Sequence, residues 1–420
     1  MSPDADARST GYARYTLALL AVLNFLNYAD RYVLGAVLEP VRAEFGLSGT
    51  EAGLLGSVFM VVYMCVAPLT GYLGDRARRT RIVALCALAW SLATAATALA
   101  GSYAQLLVLR ALVGVGEAGY AAIAPSLVAD RFTPDRRGRA LAWFYLAIPV
   151  GSALGFVVGG LVAAAWGFRA AFVVAGAPGL VLAALAWRLP EPPRGALDSA
   201  ALRPAEPLSP RATWQRLVRT PAWVVNTAAT ALMTFTMGGL AFWMPAFLQR
   251  TYDLAVDQAN LMFGGATVAA GLLGTFVGGY LGDLRQRNDP AGYFVVSGWG
   301  LLVGAPCVLA LPLLAGPEAV VALSFVAEFF LFLNTSPLNA ALVASVPAHL
   351  RASGFAINIF LIHAFGDAVS PTWIGWVSDR VGLGVGLATM AVPVAIGGML
   401  LVASARWVRR WPGGLAHVRP

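Results

Sequence analysis

Lysine is missing from this 420-residue chain: all 29 basic side chains are arginine. Charge of either sign is scarce at 12%, about half of what a soluble domain carries, while 59% of the residues are hydrophobic. That balance, with a mean hydropathy of +0.71, excludes an ordinary water-soluble domain. Cysteine is nearly absent too. Cys65, Cys86 and Cys307 lie inside apolar runs without ligand spacing, which excludes a disulfide framework and reads as packing. The three histidines, His349, His363 and His417, are scattered. With no nucleophile–base pattern and no metal cluster, the sequence predicts no enzyme, no cofactor and no metal. A net charge of +8 would suggest nucleic acid in a soluble protein; here it follows from arginines in loops, and no nucleic-acid partner is expected.

What is abundant is apolar length and glycine. Glycine occurs 45 times, which suits helices that approach closely in a bilayer. Runs of about 20 apolar residues are long enough to span. They fall at 15–38, 51–73, 81–100, 104–129, 139–165, 170–188, 221–248, 258–282, 292–314, 319–346, 353–377 and 383–404. The first is no signal peptide, because no small-residue cleavage pattern follows and the helix continues past Asp30. The expected fold is therefore all-α and integral to the membrane, with 12 transmembrane helices in two pseudo-symmetric six-helix bundles. A cytoplasmic arm (1–14) precedes the first bundle (15–188). A polar linker (189–220), with a short surface helix near 214–219, leads to the second bundle (221–404) and a cytoplasmic tail (405–420).

The duplication is visible directly. Gly71-Tyr72-Leu73-Gly74-Asp75 recurs 208 residues later as Gly279-Tyr280-Leu281-Gly282-Asp283, each time where an apolar run meets arginines. Two such halves read as parallel repeats. Of the arginines, 23 fall on the side of both termini and only Arg42, Arg169, Arg250 and Arg380 on the other. The positive-inside rule then places both termini in the cytoplasm of a multi-pass protein of the inner (plasma) membrane.

Ionisable groups inside spans are expensive and mark candidate sites. In span 1, Asn24, Asn27, Tyr28 and Arg31 share one face with Asp30 beside it; in span 4, Arg110, Gly114 and Glu117 do the same. Span 10 holds Glu328, Asn334 and Asn339; span 11 stacks His363 on Asp367. Fixed ion pairs that lock helices are the competing reading. In span 7, Met233, Phe235, Met237, Phe242, Trp243 and Met244 suit either an adaptable apolar pocket or ordinary packing. Gly151, Gly155 and Gly159 form a close-packing ridge on span 5, and Gly271, Gly274 and Gly278 another on span 8. A channel would need a continuous polar path, and these charges cluster instead.

Twelve spans with Gly71, Leu73, Gly74, Asp75, Arg76, Arg78 and Arg79 after span 2 resemble the major facilitator superfamily, although Ala77 replaces its usual glycine. Arg110 with Gly114 resembles the span-4 motif of proton-coupled members. Asn27-Tyr28-Ala29-Asp30-Arg31, Gly114-Val115-Gly116-Glu117-Ala118 with Ala124-Pro125, and the stretch from His363 to Pro371 resemble the Spinster lipid transporters. Phe156 after Gly155 departs from the antiporter glycine–proline motif, which leaves exchange unsupported. The resemblance implies alternating access in a monomer and proton-linked movement of a lysolipid or sphingosine-1-phosphate-like substrate. The lysine-free, alanine- and glycine-rich composition points to a GC-rich bacterial source, which weakens the named sphingolipid.

In this reading the partners are protons, a small amphipathic or anionic substrate and the bilayer. Asp30, Glu117, His363 and Asp367 are the candidates for proton coupling. Arg31, Asn27, Tyr28, Arg110, Phe235, Trp243, Glu328 and Asn334 are the candidates for substrate binding. Gly71, Asp75, Arg76, Arg79, Gly279 and Asp283 are assigned to a conformational latch, Asp75 reaching the N-terminus of span 11 near Ser353. A symporter or exporter of small organic anions or drugs is the alternative.

Overall fold

A computed structural model describes residues 3–193, 209–346 and 350–410; the side chains of 3–10, 75, 134, 135, 138, 142, 210, 351 and 352 fall outside the description. The latch expected of Asp75 therefore lies outside the described residues. Every element among the described residues is helical. In the first half they are α1 (Pro3–Ala36), α2 (Leu38–Phe45), α3 (Gly49–Arg76), α4 (Arg79–Thr97), α5 (Tyr103–Ala129), α6 (Pro134–Trp166) and α7 (Phe168–Trp187). The surface helix α8 (Pro210–Val218) follows, its first turn capped by the Ser209 hydroxyl accepting from Ala212 N–H at 3.3 Å. The second half has α9 (Pro221–Tyr252), α10 (Val256–Asn288), α11 (Gly292–Ala310), α12 (Pro317–Phe332), α13 (Thr335–Ser345), α14 (Arg351–Ala364), α15 (Ser370–Val381), α16 (Leu383–Ala388) and α17 (Ala391–Val408).

Among the described residues, eleven stretches are long and apolar enough to cross a membrane. The twelfth expected span is present but broken, as α14 and α15. Pro371 cannot donate in the first turn of α15, and the chain unwinds over 365–369 with Ala368 N–H reaching back to His363 O at 3.1 Å. Span 10 is also broken, between α12 and α13. There Asn334 fills the gap, its amide donating to the carbonyls of Phe330 (2.7 Å) and Leu331 (3.2 Å).

Glycine sets the closest helix crossings. On α6, a β-carbon at Gly151 would stand 2.4 Å from the Phe25 carbonyl, and one at Gly155 2.4 Å from that of Ala29. The ridge predicted on span 5 therefore packs on α1, and only glycine lets the backbones come that near. On α10, Gly274 and Gly278 sit against the carbonyls of Phe329 and Leu333, at the break in span 10.

The chain forms two compact units. The described residues of the first fall within Met1–Leu47, Val58–Arg203 and Leu254–Gly264, those of the second within Ser48–Ser57, Pro204–Asp253 and Gly265–Pro420. Helix α3 thus begins in the second unit and continues in the first. The start of α10 belongs to the first unit, held there by Asn260, whose amide donates to Ala36 O at 2.8 Å, and by Phe263 edge-on to Phe156 at 5.5 Å.

The second unit is tied at one end by Asp289, which accepts from Arg409 Nε and Nη2 at 2.9 and 2.5 Å and from Ala291 N–H at 3.0 Å. The Arg409 donation holds its carboxyl below the usual carboxylate range. A depressed folded-state value stabilises above the unfolded value of about 3.9, and that contribution is lost as pH falls through the folded value. Asp289→Asn is expected to lower the thermal midpoint at pH 7, with the gap to wild type narrowing below about pH 4. A gap that stays constant over this pH range contradicts the linkage.

Candidate functional site

Within the first unit, α1, α3, α4 and α5 bring four charged side chains together. Arg31 on α1 donates from Nε and Nη2 to Glu117 Oε2 on α5, at 3.2 and 3.0 Å. Glu117 is fully buried, and its other oxygen, Oε1, has no partner among the described residues. Asp30, one residue before Arg31, points elsewhere: Oδ2 accepts from the Thr94 hydroxyl of α4 at 2.5 Å, and Oδ1 is unpartnered. Arg110 is buried with Nε unpartnered.

Aromatic rings complete the setting. The Arg31 guanidinium lies 4.9 Å from the Tyr28 ring centre, 5.2 Å from Phe59 and 5.0 Å from Tyr63, while Arg110 sits 4.9 Å from the same Phe59. Ring faces attract guanidinium ions, more strongly where water is excluded. Gly114, one turn beyond Arg110, makes this possible, because a β-carbon there would meet the Phe59 carbonyl at 2.6 Å. Two arginines therefore face two carboxylates, yet among the described residues only Arg31 and Glu117 of these four pair directly. Among the described residues, Arg110 and Asp30 have no ion-pair partner in contact.

The sequence places Asp30, Arg31, Asn27, Tyr28, Arg110 and Glu117 on facing helix stripes, and the fold brings them to one region. Asn27 is buried with its amide nitrogen unpartnered. Sequence reasoning missed Thr94, Phe59 and Tyr63. Phe59 and Tyr63 are four apart on α3, a weak signal in a chain whose spans are rich in aromatics; Thr94, one of several hydroxyl residues in an alanine-rich span, gave none.

In the second unit the candidates are spread out. His363 Nδ1 lies 2.9 and 3.1 Å from the two carboxylate oxygens of Asp367, just before the break. Gly238 of α9 admits this turn, with Asp367 Cβ only 2.3 Å from where a side chain would begin. Trp243 is fully buried and donates to Pro371 O at 2.9 Å, so it holds α9 to α15. Phe235 is half-buried. Glu328 is buried with Oε2 unpartnered, and Asn334 serves the helix break.

Of the residues assigned to the latch, Arg76 is exposed and lies over the Tyr72 ring at 3.5 Å, and Gly71 faces open space. Arg79 is buried within the first unit, donating to Asp130 at 2.6 Å, Glu191 at 2.9 Å and Pro192 O at 3.1 Å. Glu191 also accepts from the Thr80 N–H and hydroxyl at 3.0 and 3.1 Å. Burial alone would raise its carboxyl, but these donors and Arg79 outweigh it and hold the carboxyl low. In the second copy, Asp283 accepts from the Tyr293 hydroxyl at 2.9 Å, and Gly279 lies beside Ser336.

Residues 20–371 match the Major Facilitator Superfamily, to which the chain belongs, a family of membrane transporters rather than enzymes. Within it the chain belongs to the Spinster family. It is 36% identical over 396 residues to human protein spinster homolog 1, covering 89% of this chain and 74% of the human protein. Against protein spinster of Drosophila melanogaster it is 35% identical over 377 residues, covering 87% of this chain but only 62% of the fly protein. Among solved structures, a bacterial homolog of the human lysosomal transporter Spinster, in an inward-facing and unoccupied conformation, superposes with a TM-score of 0.86. Identity is 23%, over 95% of this chain and 98% of that one. The nucleoside transporter NupG shares the fold at a TM-score of 0.73 and 12% identity, over 92% of this chain and 99% of that one.

Proposed function

We propose that the protein is a proton-coupled transporter working by alternating access, whose substrate is an amphipathic anion such as a lysolipid. One observation carries the proposal: Arg31 is shared between Glu117 and a ring of aromatic faces, while Asp30 beside it is buried without a cationic partner in contact. An always-charged guanidinium can exchange one anion for another. A phosphate or carboxylate head group that takes Arg31 releases Glu117. Left without its counter-ion in a dry site, that carboxylate gains a proton. Loss of the proton restores the pair and expels the head group. Asp30 is the second proton acceptor in this scheme. His363 with Asp367 is a further coupling candidate in the second unit, and half-buried Phe235 and Met237 suit a flexible acyl chain.

The arginine distribution supports a plasma-membrane protein with both termini in the cytoplasm. Proteoliposomes loaded with lysophosphatidylcholine, lysophosphatidylethanolamine, sphingosine-1-phosphate or small organic anions test the substrate. Lysolipid movement that rises several-fold with an imposed pH gradient is expected. Transport of the small anions alone would transfer the site to the alternative reading.

A further inference from the structure

The pattern glycine–aromatic–aliphatic–small–aspartate–arginine that ends α3, Gly71 to Arg76, occurs again at the end of α15 as Gly375-Trp376-Val377-Ser378-Asp379-Arg380. Here the carboxylate and its partner are both described, and they belong to one compact unit. Asp379 Oδ1 accepts from Gly49 N–H at 2.5 Å. Its Oδ2 accepts from Thr50 N–H at 2.8 Å and from the Thr50 hydroxyl at 2.6 Å. These amides open α3, about 42 Å along the helix from the arginines at its other end.

The first turn of α3 is otherwise accounted for. Ser48 and Glu51 form a reciprocal cap: Glu51 N–H donates to the Ser48 hydroxyl, and Ser48 N–H and hydroxyl donate to the Glu51 carboxylate. That leaves the amides of Gly49 and Thr50, the two that Asp379 takes. The backbones meet to match. A β-carbon on Gly375 would lie 2.0 Å from the Gly49 carbonyl, one on Gly53 2.2 Å from that of Pro371, and the Thr372 hydroxyl donates to Ser57 Oγ at 2.7 Å. Glu51 opposes Asp379 through like charge, and Arg380 is turned away over the Trp376 ring at 3.9 Å. Asp379 itself is exposed, so water can replace it when the contact opens.

We infer that Asp379 is a latch that holds residues 48–57, Ser48 and the first nine residues of α3, on α15 and releases them when α3 moves as one helix. Beyond Ser57, α3 belongs to the first unit, so 49–57 is the part of the helix that the contact holds in the second. The inference does not rest on the substrate or on protons, and its test uses neither.

Spin labels at the exposed positions Leu54 and Val381, in the full chain in nanodiscs with Cys65, Cys86 and Cys307 replaced, report the contact by electron–electron distance measurement. Wild type is expected to give a short distance. Asp379→Ala should move a several-fold larger fraction to longer distances, with Asp379→Asn between the two. A Ser57→Cys/Thr372→Cys disulfide should restore the short distance in the Asp379→Ala background. Should Asp379→Ala not fold, Asp379→Asn carries the same comparison. Monodisperse variants with the wild-type distribution would overturn the latch, as would a disulfide that leaves the longer distances in place.

Discussion

Arg31→Ala is expected to abolish binding of an anionic substrate and to lower stability by about 3–5 kcal/mol, the usual cost of removing one member of a buried ion pair. Glu117 would then be fully buried with neither oxygen partnered, where one oxygen now takes two donors from Arg31. Arg110 lies over the Phe59 ring at 4.9 Å and makes no ion pair with Glu117. Arg31→Lys keeps the charge and loses the two-pronged donation, so it should bind about tenfold more weakly, a change of roughly 1.4 kcal/mol. Thermal stabilisation by added lysolipid separates the two. Full stabilisation of Arg31→Ala would remove the arginine from the binding role.

Gly155→Val is expected to be strongly damaging although it lies outside the charged cluster. Its first added carbon would stand 2.4 Å from the Ala29 carbonyl and 3.0 Å from its Cα, both backbone, so α1 must move. Overpacking of this kind costs about 1–3 kcal/mol. The displacement has a second consequence, since Ala29 immediately precedes Asp30 and Arg31, and a shift there changes the distance to Thr94 and Glu117. Gly159→Ala comes nearest to the Ala36 side chain, at 3.0 Å, with the Val33 backbone no closer than 3.6 Å, and should be milder, while Gly265→Ala faces open space and should be neutral within about 0.5 kcal/mol. Equal thermal midpoints and equal transport for Gly155→Val and Gly265→Ala would contradict the close crossing.

Much of this was legible in the residues because bilayer physics restricts the choices. Long apolar runs must be helices, and glycines four apart must lie on one ridge; α6 carries that ridge onto α1. A charge in a span must face another polar group, which is why Arg31 and Glu117 were linked through facing stripes on spans 1 and 4. Which carboxylate takes the arginine was not legible. Asp30 and Arg31 are neighbours in sequence, and only the packing of α4 turns Asp30 toward Thr94. The breaks in spans 10 and 11 were half-visible: Pro371 marked one, but Asn334 reads equally well as a ligand or as a plug for freed carbonyls. Asp379 carries no signal in the sequence, because it sits near the end of an apolar run, where an acid followed by an arginine is ordinary. Its partner amides on α3 lie more than three hundred residues away.

The decisive measurement is lysolipid transport into proteoliposomes across an imposed pH gradient, comparing wild type with Asp30→Asn and Glu117→Gln at equal incorporation. Both substitutions preserve shape and remove the titrating proton. If Asp30 and Glu117 carry the coupling, each variant binds lysolipid and transports it at a rate that no longer responds to the gradient. Wild-type rates with an intact response in both would instead make Asp30, Arg31 and Glu117 a fixed interhelical cluster.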